Sequence, residues 1–160
     1  MLKCAVAVLL IGSMWCIGLG KRVRLKSRAT RLGKILDGLL CMEGEIRTCL
    51  SPIPFALSEA GRYDPLFQNA ARLAMETDIG SAFSKAIEED HLEKAEREVL
   101  SVFSVGLTAT DERGQLQNLS ACRKRLSAIY SAAQLDAARL GRLYSGGGMM
   151  LGLLVVILLF

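Results

Sequence analysis

Histidine occurs once in the 160 residues, as His91, and proline only three times, at Pro52, Pro54 and Pro65. A single histidine leaves no imidazole pair for the common zinc sites, and set in a run of acids it reads as a solvated residue rather than a general base. So few prolines exclude a Pro-rich linker, and fifteen glycines without a period exclude a collagen-like chain. The five cysteines, Cys4, Cys16, Cys41, Cys49 and Cys122, are odd in number and form no C-x-x-C pair. They imply buried free thiols and no disulfide framework. There is no phosphate loop of the form G-x-x-x-x-G-K-[ST], no H-E-x-x-H and no G-x-S-x-G elbow. Glu43 and Glu45 are two residues apart, so on a helix they occupy different faces and make no carboxylate pair. The sequence therefore predicts a non-enzyme, with no catalytic residue, no cofactor and no metal.

Acidic residues are also absent from the first 36 positions. Residues 1–36 carry eight Lys or Arg (+8), residues 37–136 carry ten against sixteen acids (−6), and Arg139 and Arg142 add +2, giving +4 in all. A nucleic-acid binder carries its basic surplus on a folded face. Here the middle of the chain is acidic and the surplus abuts two apolar ends, so no nucleic-acid partner is expected.

What the chain has in abundance is apolar sequence, 51% of residues, with a mean hydropathy of +0.33 that is high for a soluble protein. Residues 4–20 run without a charge, at the short end of what a helix needs to cross about 30 Å of hydrocarbon. Seven basic residues come next, between Lys21 and Lys34, against Lys3 and the amino terminus before the apolar run. The positive-inside rule puts the N-terminus outside and Lys21 onward in the cytoplasm. A cleaved signal peptide is the rival reading, with Lys3 as its basic region and Gly18 and Gly20 near the cut, but the basic run opposes export of the chain beyond it. Residues 143–160 form the second uncharged segment, with Arg139 and Arg142 before it, so the same rule sends the C-terminus out. Gly148 and Gly152 make a small-xxx-small pair there, which reads either as a face for a partner helix or, with Gly146 and Gly147, as a hinge. The expected organisation is a transmembrane helix at 4–20, a cytoplasmic helical domain at 21–142 and a transmembrane helix at 143–160.

Between the anchors the apolar positions follow helical spacing, and no stretch sustains strand alternation. Leu116, Leu119, Cys122, Leu126, Ile129, Ala133, Ala137, Leu140 and Tyr144 are spaced by three or four, a stripe that continues into the second anchor. Leu32, Leu36, Leu39, Glu43, Ile46 and Leu50 form a similar stripe after the first anchor, interrupted by Glu43. Ser51-Pro52 with Pro54 closes that first rod and opens a short helix, and Asp64-Pro65 is an N-cap with Pro at the first helical position. Thr77-Asp78 with Gly80 marks a further turn. Next comes a helix carrying Phe83, Ala86 and Ile87 inward, then one from about Leu92 with Val99, Leu100, Phe103 and Leu107. Thr110-Asp111 caps the last rod. The fold class is all-α: a six-helix antiparallel bundle with a transmembrane helix at each end. The acidic stretch Glu88, Glu89, Asp90, Glu93, Glu96 and Glu98 reads as a solvated helix face.

The segment Leu40, Glu43, Glu45, Ile46, Ser51, Pro52, Ile53, Pro54, Ala56 and Leu57 resembles a family signature, and the second half of the chain repeats the match. Phe103, Gly106, Leu107, Asp111, Gln115 and Leu126, with Tyr144, Gly146, Gly152 and the apolar tail after them, are similar to the same family, the stage III sporulation protein AB family of endospore-forming bacteria. One departure stands at the start of the last helix, where the family's Asp-Arg-Glu is replaced by Asp111, Glu112, Arg113 and Gly114. The resemblance implies a mother-cell membrane protein of the stage III sporulation A-operon complex that joins mother cell to engulfed forespore. It also implies a soluble domain similar to the F-type platform proteins of type II secretion. The role it implies is a scaffold between a secretion-type ATPase, the AA protein, and the membrane parts of the channel, with an oligomer compatible with that role. The alternative is a platform or adaptor of a type II secretion or pilus-assembly system, which the same helices would serve. A platform without catalysis acts through its surface, so the exposed charges Glu43, Glu45 and Arg47 are the candidate partner-binding residues, along with the acidic stretch.

Overall fold

In the computed structural model the backbone is described for residues 2–108 and 112–159, and side chains for residues 19–108 and 113–140 and for Met150. The described residues form six helices in order: α1 (Leu2–Thr48), α2 (Ile53–Ala60), α3 (Pro65–Leu73), α4 (Ile79–Glu89), α5 (Lys94–Thr108) and α6 (Glu112–Leu159). There is no strand among the described residues, so the fold is all-α as the periodicity predicted. The rods are continuous helices through both apolar stretches, the second as its stripe running into residues 143–160 implied. Among the described residues no helix is long and apolar enough to cross a membrane. The segments expected to do so, 4–20 and 143–160, lie outside the described side chains except for Leu19, Gly20 and Met150. The expected cap at Thr110-Asp111 also lies outside the described residues.

The chain divides into two compact units, one made of Met1–Thr30 with Ser131–Phe160 and the other of Arg31–Tyr130. In the first, Ala29 and Ala133 are buried while Val23 and Leu135 are exposed. The second holds the main core. Its α1 stripe is Leu32, Ile35, Leu39, Met42 and Ile46, spaced alternately by three and four and all buried. Two members of the expected stripe move out of it. Leu36 is only half-buried, its place taken by Ile35, and Leu50 is 72% exposed. The reason for the second is that α1 stops at Thr48 and Leu50 turns the chain back with a φ of 50°. From α6 come Leu119, Cys122 and Leu126, buried at the predicted spacing.

The short helices begin where side chains can accept the unpaired N–H groups of a first turn. Asp64 accepts from Leu66 N at 3.0 Å ahead of Pro65, and Asp78 accepts from Gly80 N at 3.2 Å and Ser81 N at 3.5 Å. At α5 the N3 residue Glu96 reaches back to Glu93 N at 3.2 Å, which is half of a capping box. Consecutive helices then pack, α2 on α3, α3 on α4 and α4 on α5. Each of α3, α4 and α5 contributes one phenylalanine to a buried column: Phe67 and Phe83 are 6.1 Å apart and tilted, Phe83 and Phe103 5.4 Å apart and edge to face. Burial of each ring is worth about 3 kcal/mol and each such pair about 1 kcal/mol more. Gly38 on α1 lies under Phe67 so closely that any Cβ there would overlap the ring. Asn118 of α6 donates from Nδ2 to the Phe103 carbonyl at 3.0 Å, tying the last helix to α5.

Candidate functional site

The three candidate residues sit on the last turns of α1 and have different partners. Glu43, at the polar break in the apolar stripe, has its side chain 13% exposed and lies between two guanidinium groups. Its Oε2 is 2.8 Å from Arg123 Nη1 on α6, and its Oε1 is 3.8 Å from Arg47 Nη2 one turn along. No N–H is aligned on Glu43 Oε2, so charge rather than a directed hydrogen bond holds it. The break in the stripe is thereby explained, because a carboxylate on an inward face is tolerated when an opposite charge meets it. Arg47 itself is 70% exposed.

Glu45 faces elsewhere, as the two-residue spacing predicted. Its Oε2 accepts from Ser51 Oγ at 2.9 Å, and its carbonyl accepts from Cys49 N at 3.1 Å and Ser51 N at 3.2 Å. Glu45 thus closes the end of α1 around left-handed Leu50 and sets the direction of Pro52-Ile53-Pro54. A cleft of about 550 Å³ opens here, lined by Ile46, Leu50, Ser51, Pro52, Ile53, Pro54, Ala74, Asp78, Ile79 and Gln115. Its walls expose polar and apolar surface in nearly equal parts, and its one carboxylate, Asp78, already caps α4. A second cleft of about 620 Å³ lies along α2 and α3, with Arg62 paired to Glu59 and Arg72 bonded to Asn69 on its rim.

Sequence reasoning missed the principal buried charge network. Arg31, taken only as a topology charge, donates from Nε and Nη2 to the two oxygens of Asp64, both at 3.3 Å, and from Nη2 to Asp90 Oδ2. Asp64 is 2% exposed. Chiefly the hydrogen bond to Asp90, opposed by burial and aided by Asp64, pushes the guanidinium still further up from its ordinary pKa. These partners are 33 and 59 residues apart in sequence, and no local pattern links them. The acidic stretch is accordingly only partly a solvated face. Glu88, Glu89, Glu93 and Glu98 are exposed, but Asp90 is half-buried against Arg31 and Glu96 is buried at the α5 cap. The Glu93-x-x-Glu96 spacing was the available signal for the second correction.

The described thiols are free: Cys49 exposed, Cys41 half-buried and Cys122 buried. Burial pushes the Cys122 thiol up to about 12, and burial, with Glu45 and Glu59 as lesser causes, raises Cys41. Among the described residues no three His, Cys, Asp or Glu side chains are grouped to hold a metal ion.

The sequence profile of the stage III sporulation protein AB family matches residues 3–160. A solved structure of a stage III sporulation protein AB aligns with a TM-score of 0.62 at 19% identity, covering 69% of this chain and 96% of that one. At that identity the likeness speaks for the fold alone. No curated protein matches the sequence. The profile match takes in the signature at the end of α1, the cleft it borders and both apolar ends, and it spans nearly the full length: the chain belongs to the stage III sporulation protein AB family, a family of sporulation proteins.

Proposed function

We propose that this protein is a non-enzymatic membrane scaffold of the secretion-like channel complex between mother cell and forespore, and that it presents its helical domain to a secretion-type ATPase. The observation that carries the reading is the family match over residues 3–160, which includes the two apolar ends together with the helices between them. Residues 4–20 and 143–160 are the anchors, residues 21–142 lie in the cytoplasm, and both termini lie outside. The charge asymmetry about each apolar segment supports this arrangement. A scaffolding role is supported by where the buried acids are spent: Asp64 on Arg31 and a helix cap, Glu96 on a cap, Glu43 on Arg123. Partner contacts fall on the surface around Glu43, Glu45 and Arg47, with other stage III sporulation A-operon proteins as partners.

Two measurements test this. A fluorescent fusion appears in the mother-cell membrane around the forespore, and the ATPase co-purifies with the protein from sporulating cells. Expression confined to growing cells, or normal sporulation in a deletion strain, would remove the reading. Charge reversal by Glu45→Arg with Glu88→Lys and Glu89→Lys reduces ATPase recovery while the domain still folds. Unchanged recovery moves the docking surface elsewhere. For topology the probe is Cys49 as the sole cysteine, because it is exposed where Cys122 is shielded. An impermeant maleimide labels it only after the membrane is opened, and labelling in intact cells inverts the topology.

A further inference from the structure

We infer that Lys21, Arg22, Arg24 and Lys26 form a collar around α1 that gathers anionic phospholipid headgroups. The inference rests on the reading of residues 4–20 as a membrane anchor. All four side chains are exposed on a continuous helix, in a stretch of sequence that holds no acid before Asp37. At 3.6 residues per turn they stand at roughly 0°, 100°, 300° and 140° around the axis, and they occupy about 7.5 Å of its length. They therefore share no single face. A flat protein or nucleic-acid surface would engage about half of such a ring. A headgroup layer surrounds a spanning helix, and its depth, about 5 to 8 Å per leaflet, matches the length of the collar. Val23 is 64% exposed inside the collar and Leu19 is 38% exposed just before it, so apolar side chains share the level of the charges, as at the boundary between headgroups and acyl chains. Zwitterionic headgroups offer this ring no net charge. Anionic ones are attracted by roughly fivefold for each Lys or Arg near the surface.

The chain's single tryptophan, Trp15, lies six residues before Lys21, about 9 Å along a helix, and reports on lipids beside the anchor. The full chain is reconstituted in vesicles of phosphatidylcholine and phosphatidylglycerol at three to one, with acyl-chain bromine on one lipid or the other, and Trp15 fluorescence is read. Brominated phosphatidylglycerol quenches roughly two- to fivefold more per molecule than brominated phosphatidylcholine, the upper limit being one basic residue's share. Raising the salt narrows the gap as screening shortens. Replacing the collar by Lys21→Gln, Arg22→Gln, Arg24→Gln and Lys26→Gln brings the two lipids to parity while both still quench, so the variant remains inserted. Equal quenching in the wild type overturns the inference and leaves the anchor intact. A preference that survives all four substitutions overturns it too, by moving selectivity elsewhere. No quenching by either lipid refutes the anchor and the collar together.

Discussion

Replacing Arg31 by methionine keeps most of the apolar stem and removes the charge that faces Asp64 and Asp90. Breaking a buried pair from one side costs about 3 to 5 kcal/mol, because the remaining charge stays buried without compensation. Two features of the structure lower that figure. The Arg31 side chain is 33% exposed, so solvent already screens part of the attraction, and Asp64 keeps the Leu66 N–H that it caps. The expected cost is therefore about 2 to 3 kcal/mol, most of it from Asp64, since Asp90 is more exposed. Cys122 supplies the assay: buried in the folded unit, it reacts with a thiol reagent only on opening, and its modification is monitored by mass spectrometry of its own peptide. Where closing outpaces labelling, a loss of about 2 to 3 kcal/mol speeds modification by roughly 30- to 150-fold. Asp64→Asn in the same background keeps a good N-cap and removes the stranded charge, and it recovers a kcal/mol or more. A change in the Arg31→Met rate of less than about threefold, below 1 kcal/mol, would refute the view that Asp64 depends on this arginine.

Leu126→Asp places a carboxylate at a fully buried position, and the cost of several kcal/mol unfolds the second unit. A melt unchanged from wild type would remove Leu126 from the core. Leu50→Gly relieves roughly 1 to 2 kcal/mol of left-handed strain and gives back about 0.4 to 1 as unfolded-chain entropy. Since Leu50 buries little, the same labelling assay should show neutral to slightly slower opening, and faster opening by tenfold would refute the strain. The Cys122 thiol, pushed from 9.0 up to about 12, keeps its proton in the folded state where the unfolded chain has released it. Its contribution is complete below pH 9 and is lost from there to about 12, by up to roughly 1.4 kcal/mol per pH unit. Cys122→Ala therefore flattens the alkaline decline of the melting temperature, and an unchanged slope would show that the thiol is not buried.

Local physics made much of this protein legible in advance. Helical spacing identified all-α structure, the Leu119, Cys122 and Leu126 face of α6 and the inward Phe83, Ala86 and Ile87 of α4, because side chains three and four apart share a face whatever they pack against. The cap at Asp64 was readable for the same reason, since donor and acceptor lie two residues apart, and the turn read at Thr77-Asp78 proved to hold a second such cap, at Asp78. Charge placement beside the apolar ends, and the ordered motifs of the family, are likewise properties of the chain as written. Tertiary structure alone decided the rest. Only packing shows that Glu43 meets Arg123, that Arg31 joins Asp64 to Asp90, and that Gly38 makes room for Phe67. It also decided that Ile35 rather than Leu36 faces inward, since neighbouring positions on a helix differ by about 100° and the angle at which the other helices arrive selects between them. Ion pairs between residues tens of positions apart leave no periodic trace, because their attraction depends on distance in space and on the water excluded around them.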